Sequence, residues 1–278
     1  MSSKKELVVV GDSFCIDYIS MRNILHMDNK IPYKYTNSRF EIRHCEWSVK
    51  ESFPIWGELV AKELDLKFIN LSQSGAGTNY VFAEALDYII KNKKNIAKVI
   101  VAWSSYSRFD FELPSTEHYD LSHLKPWLSI NVALPPLDLT AKLFKEAEQL
   151  KALTFEIGIN NFFRHAYSLQ TLLKSYNMDY RMIQTLTDAY GFGSLAKDGF
   201  GQRNQYNQYS KKILNNPYFD LIDDEKFIGW PGTENLGGFT MADLIWTEDN
   251  KNHISDIDKH PNKAGQKIIA KTILDNLL

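Results

Sequence analysis

Leu7-Val8-Val9-Val10-Gly11-Asp12-Ser13-Phe14 is the stretch that decides how this chain is read. Four apolar residues, three of them β-branched, stop at Gly11. A short apolar run ended by a turn residue marks a strand covered on both faces. Ser13 then lies just past the carboxyl end of that strand, where open α/β sheets hold their ligands. Gly-Asp-Ser is also ordinary turn chemistry, so the reading needs a second observation. The far end of the chain supplies it, with Asp256, Asp258 and His260-Pro261-Asn262. A serine, a histidine and a carboxylate are the parts of an activated nucleophile: attacking hydroxyl, base and orienting acid.

Working outward from Ser13, residues 26 to 50 are polar and irregular. Pro54 stands where a helix starts, and residues 54 to 65 place Ile55, Leu59, Val60 and Leu64 on one face. Lys67 to Leu71 reads as a second strand. Ser72-Gln73-Ser74-Gly75-Ala76-Gly77-Thr78-Asn79 forms a small-residue loop opening a helix over about 79 to 91. Lys98 to Trp103 is a third, almost wholly apolar strand. Strands alternating with helices imply parallel crossovers and a doubly wound sheet, right-handed at each crossover. Residues 105 to 137 carry four prolines and read as irregular. Residues 138 to 175 read as helical, with a break near Gly158. Asp179 to Leu186 is a fourth strand, and Phe227 to Trp230 a fifth. Residues 187 to 250 otherwise read as loops and short helices, and 262 to 277 as a final amphipathic helix. No internal repeat appears. The expectation is one domain over 1–278, with an elaboration at about 105–250 lining the cleft.

The chain has 278 residues, long enough for one large α/β domain or two small ones, and is 44% hydrophobic. Its 32 basic residues against 34 acidic ones leave no electrostatic footprint for nucleic acid or an anionic membrane. Aromatics make up 13%; they suit sugar rings, but they fill cores far more often. The two cysteines, Cys15 and Cys45, suggest neither a disulfide framework nor a zinc site. No apolar run is long enough for a signal-peptide core or a membrane span. A cytoplasmic protein is expected, or one otherwise used in solution without a classical signal peptide.

Three blocks resemble the SGNH/GDSL hydrolase family. Gly11-Asp12-Ser13-Phe14 resembles its first block, with Phe14 in place of Leu. Trp56 through Asn79 resembles the run into and through the second, and Asp258-Lys259-His260-Pro261-Asn262 with Gly265 resembles the last. The resemblance implies a three-layer α/β/α fold around a parallel, flavodoxin-like sheet of about five strands, with a long helical and irregular insertion. It implies a serine hydrolase working through an acyl-enzyme, with Ser13 as nucleophile, His260 as base and Asp258 or Asp256 as the acid. The backbone N–H groups of Ser13 and Gly75 are the expected oxyanion donors, with Gly77 as the alternative in that loop and Asp12 structural. A small acyl ester, such as an O-acetyl group on a carbohydrate, is the expected substrate, and no cofactor or metal is implied. Acyl transfer to a sugar hydroxyl shares the same first half-reaction.

Two departures matter. The family's Gly-x-Asn-Asp after the third strand is replaced by Ala102-Trp103-Ser104-Ser105-Tyr106-Ser107-Arg108. The oxyanion Asn is therefore absent from its place, with Ser104 the positional substitute and Asn79 a neighbouring one. The position three before His260 is Ile257, and Asp256 and Asp258 flank it. The missing Asn also admits a catalytically degraded module that binds glycan or serves as a structural part. Arg108 reads as a group for a substrate carboxylate or sugar hydroxyl, or as a solvated charge. Trp103 reads as core or as a sugar platform. His253 is a rival base without the Pro-Asn context. His118 and His123 lack a third metal ligand. Ser72 to Asn79 lacks the ending of a phosphate loop. Gly191-Phe192-Gly193 and Gly237-Gly238 read as turns.

Overall fold

In the computed structural model of the protein, residues 4–16, 53–112, 127–131, 154–186, 209–246, 251–254 and 260–277 are described. The apolar run that opens the chain is β1 (Glu6–Val10). It is followed by α1 (Trp56–Glu63), β2 (Lys67–Asn70), α2 (Thr78–Asn92), β3 (Ile96–Trp103), β4 (Arg108–Glu112) and β5 (Trp127–Asn131). Then come α3 (Phe155–Ser175), β6 (Asp179–Gln184), β7 (Phe227–Ile228), α4 (Met241–Ile245) and α5 (Lys263–Asp275). Five strands form one sheet in the order β2-β1-β3-β6-β7, and every neighbouring pair is parallel. This is the flavodoxin-like order, whose strand sequence reverses between β1 and β3. Ser13 follows β1 at that reversal.

The sequence pattern of β1 explains its central place. Val8 and Val10 pack into one core, with α2 and α3. Leu7 and Val9 pack into the other, with α1, α4 and α5. Alternate side chains face opposite layers, so both parities must be apolar. Each fully buried Val or Leu contributes about 1.5–3 kcal/mol. The result is the expected three-layer α/β/α arrangement.

Several local expectations shift. The first helix begins at Trp56 rather than at Pro54, because the Trp56 N–H donates to the Gln266 side chain on α5 at 2.7 Å. The segment read as irregular after β3 contains a hairpin-like pair, β4 with β5, antiparallel from Arg108↔Asn131 to Glu112↔Trp127. Arg108-Phe109-Asp110-Phe111-Glu112 alternates polar and apolar residues as a strand does, although Asp110 is buried along with Phe109. Gly158 does not break α3; a Cβ there would lie 1.8 Å from the Tyr106 carbonyl oxygen. The glycine lets the helix pass against the chain leaving β3. No described helix is long and apolar enough to cross a membrane. Cys45, His118, His123, Gly191-Phe192-Gly193, Asp256 and Asp258 lie outside the described residues.

Candidate active site

The turn after β1 is built by three adjacent residues. A Cβ on Gly11 would sit 2.6 Å from Cys15 Sγ and 2.8 Å from the Ala102 Cβ, so only glycine lets the turn close against β3. Asp12 caps the single 3-10 turn Ser13–Cys15 by accepting the Phe14 N–H at 3.0 Å. Ser13 follows, 5% exposed. Cys15, two residues on, is fully buried. Burial, and secondarily the Asp12 charge, push its thiol well above the ordinary range. A thiol held in that form is a poor nucleophile, which leaves the Ser13 hydroxyl as the group to be activated.

The partner arrives from the other end of the chain. His253 and Pro261 form an antiparallel bridge, and the Ile254 N–H donates to the His260 carbonyl oxygen at 2.9 Å. Asn262 caps α5, its side-chain oxygen accepting from the N–H groups of Ala264 (2.9 Å) and Gly265 (3.1 Å). Its amide donates to the carbonyl oxygens of Lys251 and His253. A Cβ on Gly265 would fall 2.2 Å from the Asn252 carbonyl oxygen. Each residue of His-Pro-Asn-x-x-Gly thus has a geometric task. Their joint product is a distance: His260 Nε2 lies 2.8 Å from Ser13 Oγ, across 247 positions of sequence. His253, the rival base, is buried at 3% exposure and contributes backbone to this turn. The Phe14 ring lies 5.7 Å from the His260 ring, and Trp246 packs edge-on against Phe14 at 6.4 Å.

An oxyanion needs fixed donors that nothing else occupies. Among the described residues, the backbone N–H groups of Ser13 and Gly75 donate to no protein acceptor. Gly75 has φ +78°, and a Cβ there would meet nothing within 4 Å. Gly77 is different: its N–H donates to Asp110 Oδ1 at 2.8 Å. Asn79 donates its amide to the Asp110 carbonyl oxygen at 3.2 Å and so braces β4. Asp110 also accepts from the Tyr80 N–H (2.9 Å) and from the Ser129 hydroxyl, capping α2 from a distant strand. Burial raises the Asp110 carboxyl above its usual range, against the pull of these donors.

The exit of β3 corrects the remaining expectations. Ser104 is fully buried, and its hydroxyl, expected as an oxyanion donor, donates instead to Asp12 Oδ2 at 2.9 Å. Trp103 is fully buried, edge-on to Phe162 at 5.8 Å, and belongs to the core rather than to a sugar platform. Arg108 is no solvated charge. Its Nη1 donates to Asp12 Oδ2 (2.9 Å), Ser104 Oγ (3.0 Å) and the Ala76 carbonyl oxygen (3.4 Å). Two further neighbours were not singled out from sequence. Thr185 donates to Asp12 Oδ2 at 2.7 Å, and Gln184 donates to the Ser104 carbonyl oxygen. Gln184 ends β6 and Thr185 follows it, a strand-end position like that of Ser13 after β1. Asp110 carries no such local signal.

No protein-family model matches the chain, and no curated protein matches it. Among solved structures it is similar to a psychrotrophic esterase, EstA, from Pseudoalteromonas sp., at 12% identity and a TM-score of 0.38, covering 98% of this chain and 96% of that one. It is similar to a carbohydrate esterase family 2 enzyme with a carbohydrate-binding domain from Corynascus thermopiles, at 13% identity and a TM-score of 0.38, covering 100% of this chain and 68% of that one. It is also similar to a protein assigned to the G-D-S-L lipolytic family from Desulfitobacterium hafniense DCB-2, at 9% identity and a TM-score of 0.42, covering 98% of this chain and 99% of that one.

Proposed function

We propose that this chain is a serine ester hydrolase with Ser13 as nucleophile and His260 as base. The observation that carries the reading is the 2.8 Å contact between His260 Nε2 and Ser13 Oγ, inside the range a proton transfer requires. Ser13 Oγ attacks the ester carbonyl carbon while its proton passes to His260 Nε2. The oxyanion that forms accepts from the N–H groups of Ser13 and Gly75, each donor worth about 2.7–4 kcal/mol in comparable sites. Collapse breaks the carbon–oxygen bond, and His260 returns the proton to the departing alcohol. Water then attacks the acyl-enzyme by the same route in reverse.

Asp258 is the proposed acid on the other imidazole nitrogen, with Asp256 as the alternative. The substrate proposed is a short acyl ester, and more finely an O-acetyl group on a carbohydrate. Trp246, half-buried beside Phe14, is aromatic surface next to the dyad that suits a sugar face. The elaboration at about 105–250 lines the cleft in this reading, within one domain over 1–278.

The test is covalent. A fluorophosphonate probe labels the protein and not Ser13→Ala, and a short-chain aryl acetate is hydrolysed by the first and not the second. Asp258→Asn then loses turnover and Asp256→Asn retains it. An unlabelled parent protein that leaves the aryl ester intact overturns the proposal.

A further inference from the structure

We propose that Arg108 is a positioning residue for catalysis, its guanidinium neutralising the buried Asp12 carboxylate and joining the nucleophile turn to the loop that carries Gly75. The inference rests on the ester-hydrolase reading and concerns a group that reading does not use. Asp12 is 0% exposed and precedes the nucleophile directly. A carboxylate removed from water requires a counter-charge and filled lone pairs. Its Oδ1 accepts the Phe14 N–H; its Oδ2 accepts from Ser104 Oγ, Thr185 Oγ1 and Arg108 Nη1. Among the described residues, Arg108 is the one cation paired with it, at 2.9 Å, its side chain 15% exposed.

The same Nη1 reaches three pieces of the site. Asp12 belongs to the turn after β1, Ser104 to the exit of β3, and Ala76 to the loop after β2. The Arg108 backbone is wedged beside that loop as well, since a Cβ on Gly77 would lie 2.5 Å from its carbonyl oxygen. Removing the guanidinium leaves an unpaired anion one residue from the group that stabilises a developing oxyanion. The ester carbonyl of the bound substrate is neutral and the tetrahedral state is not. The penalty therefore falls on the transition state and on kcat.

The experiment compares hydrolysis of an aryl acetate by the parent protein, Arg108→Met, Arg108→Lys and the double variant Asp12→Asn/Arg108→Met, each checked for folding by circular dichroism. Arg108→Met is expected to lose roughly 10²-fold in kcat, the scale of a small misplacement or a lost oxyanion donor, with KM within twofold. Arg108→Lys recovers part of the loss as a point charge. The double variant, with no bare charge left, recovers at least tenfold over Arg108→Met, and gives the same comparison against the parent if the single variant fails to fold. A raised KM at unchanged kcat overturns the proposal, because it makes Arg108 a substrate contact. So does parental kcat in Arg108→Met, or a double variant no better than the single one. A parent protein that neither labels nor turns over ester removes the hydrolase reading and this inference together. Intact labelling with an indifferent Arg108→Met removes this inference alone.

Discussion

The exits of β1 and β3 are neighbours at one sheet edge, paired through Val10 and Val101, and both turn polar at once. Their serines are equally enclosed: Ser13 is 5% exposed, Ser104 0%, Ser105 2% and Ser107 1%. They differ in their partners. Ser104 meets a carboxylate already held by a guanidinium, and Ser105 and Ser107 share a contact of 2.6 Å with each other. Ser13 meets an imidazole, and its N–H has no protein acceptor among the described residues. Burial does not mark a reactive hydroxyl; a base beside it and an unoccupied donor under it do.

The sharpest way to break this comparison is to delete both hydroxyls. Ser13→Ala is expected to lower kcat by roughly 10⁴–10⁶-fold, the scale of losing a catalytic nucleophile, with stability nearly unchanged. Ser104→Ala keeps fluorophosphonate labelling and turns over within about tenfold of the parent. It is expected to lose about 1 kcal/mol of stability with its hydrogen bond to Asp12. Steady-state kinetics beside urea unfolding checks both. Equal kinetic losses would erase the distinction between the two exits.

Gly265→Ala strikes the turn that delivers the base. Its Cβ would stand 2.2 Å from the Asn252 carbonyl oxygen, and the contact is backbone, so the turn must move. A cost of about 1–3 kcal/mol is expected from overpacking, with kcat down about 10²-fold because His260 is displaced from Ser13. Unfolding and kinetics on one preparation separate the two losses. Unchanged turnover would show that the His260 turn tolerates the shift.

The legibility of the two exits follows from their physics. Around Ser13 and His260, the proposed function and local backbone chemistry coincide. A strand must end, a turn must close with glycine, and a helix must be capped by Asn262, so short-range residue types carry the message. The central strands are legible for the same reason, since β1 and β3 are covered on both faces and read as nearly unbroken apolar runs; their order in the sheet follows from no local pattern. The exit of β3 is held by long-range partners. Arg108 answers Asp12 across 96 positions, and Thr185 across 173; no local pattern encodes either contact. β4 does alternate polar and apolar residues from Arg108 to Glu112, but over only five residues; what no local pattern announces is that Asp110 is buried as a cap for α2. Gly158 misled because a glycine that admits a neighbouring backbone looks, in sequence, like one that ends a helix.

A third measurement asks whether acid lability arises at the sheet edge or in the helical layer. His165 on α3 stacks on Phe82 of α2 at 4.6 Å and 10°. Burial, and secondarily Arg164, hold its imidazole down to about 4 from an ordinary 6.5. The unfolded chain therefore takes the proton more readily than the folded one. The stability associated with the neutral ring is complete above about pH 6.5 and is lost progressively as pH falls toward 4. A loss of about 2 kcal/mol is expected over that window, below the full linkage value because the ring is only partly enclosed. Urea unfolding at pH 7.5, 5.5 and 4.5 measures it, with His165→Phe keeping the stack and flattening the slope. A variant with the parent's slope would move the titrating group elsewhere.

The smallest expected effect gives the finest division of the molecule. Gly75 and Gly237 share a backbone: φ is +78° at one and +84° at the other, and a Cβ at either would meet nothing within 4 Å. Alanine at each therefore suffers the same left-handed penalty, roughly 1–2 kcal/mol, with no steric addition. Gly237 closes the 3-10 turn Glu234–Leu236, where that penalty is the whole effect. Gly75 carries the N–H proposed as an oxyanion donor, where relaxation of the backbone would also turn the donor. Matched stability losses are expected from the two variants, with kcat down about tenfold in Gly75→Ala and unchanged in Gly237→Ala. If both variants turn over like the parent, the N–H of Gly75 is not an oxyanion donor, and an unoccupied backbone donor at a sheet edge is not evidence of one.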